Sequence, residues 1–159
     1  MSDQPCHAKP TGSDCYLASL QTDTIDFAFL TAARFFCVSF SNGDHCAWVT
    51  AILGAESFFP GPNSSEKMRR ALAVVHEMRS SRKSVFRFSN PRCTGCSAII
   101  TQDERYLLQM VQQARFGQMS KANSFAMMLC EGNATDRVLA AVTGFADIVR
   151  HEHVLELAT

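Results

Sequence analysis

The sequence predicts an all-α protein, a compact single-domain bundle of about six helices. The 159 residues are 47% hydrophobic and 19% charged, with 15 Lys and Arg against 15 Asp and Glu, which is typical of one folded domain. Apolar residues recur at helical spacing in several segments. The one β-prone stretch has no second strand with which to form a sheet.

The domain organisation follows from the same pattern. Residues 1–21 contain two prolines, a glycine and scattered polar residues without sustained periodicity, so we expect a flexible N-terminal arm. Residues 22–159 are expected to form the single helical domain, because the loops between the predicted helices are short and no internal repeat divides them.

Two helices are predicted before the Pro60-Gly61-Pro62 break. The first begins with Thr22 or Asp23 as N-cap and continues to the Asn42-Gly43 stop. Apolar residues cover much of its circumference, which indicates a buried, central helix. The second is shorter, is capped by Asp44 and ends at Gly54.

A third helix and a connector follow. Asn63 with Glu66 three residues later forms an Asx version of the capping box, and the helix continues to about Ser80. Residues 85–88 alternate and are β-prone, but a single strand makes no sheet. We therefore expect an extended connector near residues 84–100.

The last three helices are the clearest in the pattern. A Thr-x-x-Glu capping box at Thr101 opens a helical stripe that ends at Gly117, and a second stripe ends at Gly132. A final helix then begins at Asn133 or Thr135.

The motif Cys93-x-x-Cys96 carries the most specific chemistry in the sequence. Two residues between the thiolates let both sulfurs face one ion, and Gly95 permits the tight backbone that this requires, so zinc is the expected metal. A closed tetrahedral site needs further ligands. The candidates are Cys37, Cys46, Cys130, His45 and the Cys6-His7 arm.

Two other interpretations of the same cysteines stay open. They could line the loop without a ligand, while Cys37 and Cys130 are buried as small hydrophobic residues. They could also form a redox dithiol, although a reactive pair normally lies at a helix N-terminus and the nearest predicted helix begins only at Thr101.

The segment 64–92 is strongly basic, with eight Lys and Arg against two Glu. A nucleic-acid interface would use these cations together with the ring faces of Phe86 and Phe88. A solvated basic helix face is the simpler interpretation, because the whole chain has a pI near 6.9. The candidate phosphate-binding residues are Lys67, Arg69, Arg70, Arg79, Arg82, Lys83, Arg87 and Arg92.

A cytoplasmic location is expected from the polar start of the chain, which lacks the apolar stretch of a secretory signal. The most apolar segment, residues 25–40, is interrupted by Asp26 and Arg34. No membrane contact is therefore predicted.

The order of features in residues 92–141 resembles that of small helical bacterial proteins from uncharacterised families. The shared features are a cysteine knuckle, an Asp-Glu helix start, a two-helix hairpin and an Ala-rich final helix. This resemblance implies no activity, cofactor or catalytic residue.

The sequence holds no complete catalytic signature, and a non-enzymatic helical module that regulates or binds a protein partner is the leading interpretation. A structural metal at the cysteine knuckle could accompany this role. A homodimer is a further expectation, because Met127-Met128-Leu129 places apolar residues on more than one side of a short helix. The alternatives are a thiol-redox protein and a nucleic-acid accessory protein.

Overall fold

The structure, a computed structural model, describes residues 8–43 and 46–157, with side chains as far as Arg150. This part of the chain is an all-α bundle, as predicted. Its eight helices are α1 (Thr24–Ser41), α2 (Ala47–Leu53), α3 (Ala55–Phe58), α4 (Ser64–Ser81), α5 (Thr94–Ser97), α6 (Gln102–Arg115), α7 (Met119–Leu129) and α8 (Asp136–Leu157). Strands β1 (Cys15–Tyr16) and β2 (Ile99–Ile100) form one antiparallel pair.

Six of these helices correspond to the six predicted from periodicity. The additional helices, α3 and α5, contain only four residues each. One turn of helix shows no repeating apolar face, which is why periodicity does not reveal it. Gly54 ends α2 and also begins α3, so the predicted stop residue joins two helices.

Helices α1 and α6 begin with reciprocal capping boxes. Asp23 accepts the Asp26 amide at 2.8 Å, and the Asp26 carboxylate accepts the Asp23 amide at 3.3 Å. Thr101 and Glu104 exchange the same two bonds at 3.2 and 2.8 Å, as the sequence predicts. Each box satisfies backbone donors that have no partner within the first turn of a helix.

The capping box predicted at Asn63 does not form. Asn63 adopts a left-handed backbone, with φ of 57°, and its side chain makes no capping hydrogen bond. Glu66 instead accepts Arg69 Nε and Arg70 Nε, each at 2.7 Å. Ion pairs one turn along the helix therefore engage the carboxylate that the box would have used.

The core lies among α1, α4, α6, α7 and α8, and an aromatic cluster marks its centre. The Phe145 ring lies 5.0 Å from Phe29 and 5.9 Å from Phe59, both at inclined angles. All three side chains are fully buried. Tilted and edge-to-face ring pairs of this kind add to the free energy gained from burying apolar area.

Helix α1 is the one helix of the described part that is long and apolar enough to cross a membrane, with a mean hydropathy of 1.3. Half of that window is buried inside the protein. Its Arg34 is among the buried residues and pairs with Glu104 of α6. These contacts are typical of a core helix, and core helices meet the same length and hydropathy criteria as membrane-spanning helices.

The second half of the predicted N-terminal arm packs on the bundle instead of extending from it. Cys15 pairs with Ile100, and Leu17 joins a small buried cluster with Leu30 and Leu108. Asp14 accepts the Gln102 amide at 3.3 Å. The apolar residues of this short segment have no periodicity of their own, so only the tertiary structure shows where they lie.

Candidate functional site

A buried ion pair fixes the connector between α4 and α6. Arg34 donates its Nε to Glu104 Oε1 at 2.7 Å, and both side chains are almost completely buried. The same guanidinium donates to the carbonyls of Ser97 at 2.8 Å and Ile99 at 2.7 Å. One side chain of α1 therefore anchors the end of α5, strand β2 and α6.

Glu104 accepts bonds from the connector as well. Its carboxylate accepts the Ser89 amide at 3.1 Å and the Thr101 amide at 2.8 Å, in addition to the two bonds from Arg34. A buried carboxylate needs such bonds, because its desolvation is costly unless charge and hydrogen bonds compensate it. Arg34 and Glu104 thus anchor the connector to α1 and α6.

The cysteine knuckle forms the start of α5. Cys93 is the N-cap of this helix, and its Sγ accepts the Cys96 amide at 3.3 Å. A single helical turn therefore begins at Thr94, which corrects the expectation that the nearest helix begins at Thr101. The cysteines are not at disulfide distance from each other. A redox pair at this position stays a prediction.

The further ligands proposed for zinc lie elsewhere. Cys37 and Cys130 are buried in the core, and Cys46 is exposed beside α2. Within residues 8–43 and 46–150, no group of three His, Cys, Asp or Glu side chains could hold a metal ion. His45, Cys6 and His7 lie outside the described residues. Zinc at Cys93 and Cys96 therefore stays a prediction for which the described residues supply two ligands.

The two buried thiols, those of Cys37 and Cys130, are unreactive. Burial raises the pKa of Cys37 to about 12, and the negative charge of Glu104 adds to this effect. Burial also raises the pKa of Cys130. Both side chains are therefore neutral at physiological pH and pack as small apolar groups.

The basic segment does not form one continuous cationic face. Lys67 and Arg82 are buried, so two of the eight predicted phosphate contacts are not on the surface. Arg87 pairs with Asp14 at 2.9 Å. Arg69 and Arg70 share Glu66, while Arg79, Lys83 and Arg92 are exposed.

Arg82 serves a structural purpose at the end of α4. Its Nη1 donates to the Leu129 carbonyl, and its Nη2 donates to Asp103 Oδ2 and to Ser84 Oγ, each at 3.1 Å. Glu131 Oε1 lies 3.6 Å from Nη2. This side chain joins the ends of α4 and α7 to the start of α6. Its Nε has no hydrogen-bond partner among the described residues although it is buried.

An apolar groove opens between α1, α2 and α4 and has a volume of about 630 Å³. Trp48 and Phe40 stand in it with 53% and 39% of their surfaces exposed. We call it the Trp48 groove. Its lining residues are Phe36, Ser39, Phe40, Gly43, Trp48, Arg69, Leu72, Ala73, His76 and Glu77.

The sequence places Trp48 on the predicted second helix but does not identify this groove. Helical spacing shows which residues share a face, not whether another element covers that face. The available signal is that α2 is short and carries several apolar residues on different sides. In the structure, Ile52 and Leu53 of this helix are also exposed.

The second exposed apolar surface is the one predicted from Met127 and Met128. These side chains are 44% and 52% exposed at the end of α7, whereas Leu129 beside them is buried. The homodimer expected from these residues stays a prediction.

No protein-family model, no curated protein and no solved structure matches this chain. A proposal for its function therefore rests on the geometry of its own surfaces.

Proposed function

We propose that this protein is a non-enzymatic, cytoplasmic module that binds an amphipathic helix of a protein partner in the Trp48 groove. The main support is the Trp48 groove itself, an open apolar groove on the surface of the bundle in which Phe40 and Trp48 are partly exposed. Exposed apolar patches of this kind on soluble domains are typically interaction sites.

The shape of the groove favours a helix as its occupant. Two 18-residue helices, α1 and α4, contribute most of its lining, and α2 contributes Trp48. A partner helix with apolar residues at i, i+3, i+4 and i+7 could place them on Phe40, Trp48 and Leu72. Trp and other aromatic side chains at the centre of such a contact commonly contribute most of the binding energy.

Polar groups at the rim of the groove support the same assignment. Arg69, His76 and Glu77 line it beside the apolar residues. Arg69 and Glu77 are already engaged in ion pairs with Glu66 and Arg137. An apolar centre with charged residues around it is the usual composition of a protein interface.

The experiment uses Trp48 as its own reporter, because it is the sole tryptophan of the chain. A displayed library of amphipathic helical peptides is selected against the 159-residue chain, and each selected peptide is titrated while Trp48 emission is recorded. We expect a saturable blue shift, because the indole moves from water into an apolar contact.

The matched variants are Leu72→Glu and Leu53→Glu. Leu72→Glu places a charge inside the groove and should abolish peptide binding, whereas Leu53 is 82% exposed on α2 and does not line the groove. Peptides that bind both variants equally, or a library that yields no groove-binding peptide, would refute the proposal. Sedimentation at increasing protein concentration decides whether a second copy of the chain is the occupant instead.

A further inference from the structure

A second cavity lies on the other side of Phe40, between α1, α4 and the connector. It has a volume of about 450 Å³, within the range of cavities that hold small organic ligands. We call it the Cys37 cavity. Its lining includes the buried residues Cys37, Val75 and Met78 and the less buried Phe40, Phe86 and Phe88.

Three cations line the same cavity, namely Arg79, Arg82 and Lys83. Arg79 and Lys83 are exposed and form no ion pair with any described residue. The Arg79 guanidinium lies 4.4 Å above the centre of the Phe40 ring. Two exposed cations with no ion-pair partner among the described residues therefore lie at the opening of the Cys37 cavity.

Arg82 adds a buried donor. Its charge is balanced by Asp103 and Glu131, and its Nη atoms already donate to protein acceptors. Its Nε is the exception, because this buried N–H has no acceptor among the described residues. A buried donor without a partner is costly, so a ligand oxygen that reached it would recover a hydrogen bond.

We propose that the Cys37 cavity binds a small organic carboxylate with an apolar body, such as a medium-chain fatty acid. The apolar body lies among Val75, Met78 and the phenylalanine rings, and the carboxylate meets Arg79 and Lys83. This inference does not depend on the Trp48 groove, since only Phe40 is shared between the two linings.

The chemistry of the inner part fits an uncharged tail. The Cys37 thiol is neutral, and the residues that line the cavity include no Asp or Glu. Met78 is unbranched and adapts to irregular apolar shapes. The carboxylates of Asp103 and Glu131 are engaged by Arg82 and by the Ser84 hydroxyl and backbone. The carboxylate of Glu104, whose charge acts on Cys37, is paired with Arg34.

Decanoate is the probe, and 1-decanol is its uncharged counterpart. The 159-residue chain is labelled at the methyl groups of its seven methionines, and each probe is titrated while the methyl resonances are recorded. We expect decanoate to shift the Met78 methyl saturably and to leave those of exposed Met127 and Met128 unchanged. Trp48 emission, recorded in parallel, reports the groove separately.

The variant pair is Arg79→Gln with Lys83→Gln, matched by Arg92→Gln with Arg150→Gln at exposed positions that do not line the cavity. Removing the two rim cations should weaken decanoate binding about tenfold and leave decanol binding unchanged. The control pair should change neither. The proposal is overturned if decanoate binds no better than decanol, if both pairs weaken it equally, or if Met78 does not respond up to the solubility limit.

Discussion

Two sides of helix α1 show opposite ways of using buried space. On one side, Arg34 meets Glu104 and the connector, and its charge is compensated by a carboxylate and two backbone carbonyls. On the other, Phe40 separates two cavities that no described side chain fills. On the first side the buried charge has all its partners within the protein. The second side exposes apolar surface and cations to which a ligand or a partner protein can bind.

This difference separates residues that hold the fold from residues that bind. The spacing of the cysteine knuckle suits a metal, but the knuckle lies on the Arg34 side, next to the backbone that Arg34 binds. The Phe40 side carries no motif. Its importance comes from its exposure and from Arg79 and Lys83, which form no ion pair with any described residue. Both properties become visible only in the three-dimensional structure.

The largest expected effect comes from breaking the Arg34 pair. Glu104→Gln should lower the free energy of unfolding by about 3–5 kcal/mol, because it leaves the Arg34 charge buried without its counter-ion. Chemical denaturation measures the change. The matched control is Glu66→Gln, which removes a carboxylate from an exposed pair and should move the denaturation midpoint far less. Equal shifts for both variants would contradict the assigned role.

A smaller effect is expected at the cysteine knuckle. The Cys93→Ser, Cys96→Ser double variant should lower the free energy of unfolding by about 1 kcal/mol or less, because Arg34 fixes the connector and Ser is itself a favourable N-cap. Denaturation is measured with and without a chelator, together with elemental analysis. If the double variant is as unstable as Glu104→Gln and loses one equivalent of zinc, then a metal and not the ion pair holds the connector.

The smallest effect at neutral pH is expected at Glu131, where the difference should appear on acidification. Hydrogen bonds from the Ser84 hydroxyl and the Lys83 and Ser84 amides lower the pKa of Glu131 from 4.5 to about 2. Its contribution to stability is therefore fully present above pH 4.5 and is lost as the pH falls through about 2.

Glu131→Gln removes that contribution at every pH. As the pH falls from 4.5 to 2, the natural protein should lose it as well, so the difference in stability between the two proteins should shrink. Urea denaturation midpoints measured across this range provide the comparison. A difference between the two proteins that stays constant down to pH 2 would show that the Glu131 hydrogen bonds do not stabilise the folded state.

Much of the fold follows from local signals. Asp23, Thr101, Gly117 and Gly132 mark helix ends in the sequence and do so in the structure. Each acts through a hydrogen bond or a left-handed backbone within a few residues of itself. Asn63 is an exception, because Glu66 has ion-pair partners one turn along the helix. Helix α2 is another, because its N-cap is Cys46 and not the predicted Asp44.

The candidate sites follow from contacts between distant residues and could not be predicted in this way. Lys67 and Arg82 belong to a basic run in the sequence, yet they are buried by packing that the charge pattern does not encode. Trp48 has the spacing of a core residue and is half exposed. Both outcomes depend on which neighbouring elements cover a helix face.

The short pairing of β1 with β2 has a consequence for the order of folding. It joins Cys15 to Ile100 and so closes a loop that includes α1 to α5. Closing so long a loop is entropically unfavourable, and two residues of ladder return little in exchange. We therefore expect the N-terminal strand to dock late in folding, after α1 and α6 have brought Leu30 and Leu108 together as a surface for Leu17.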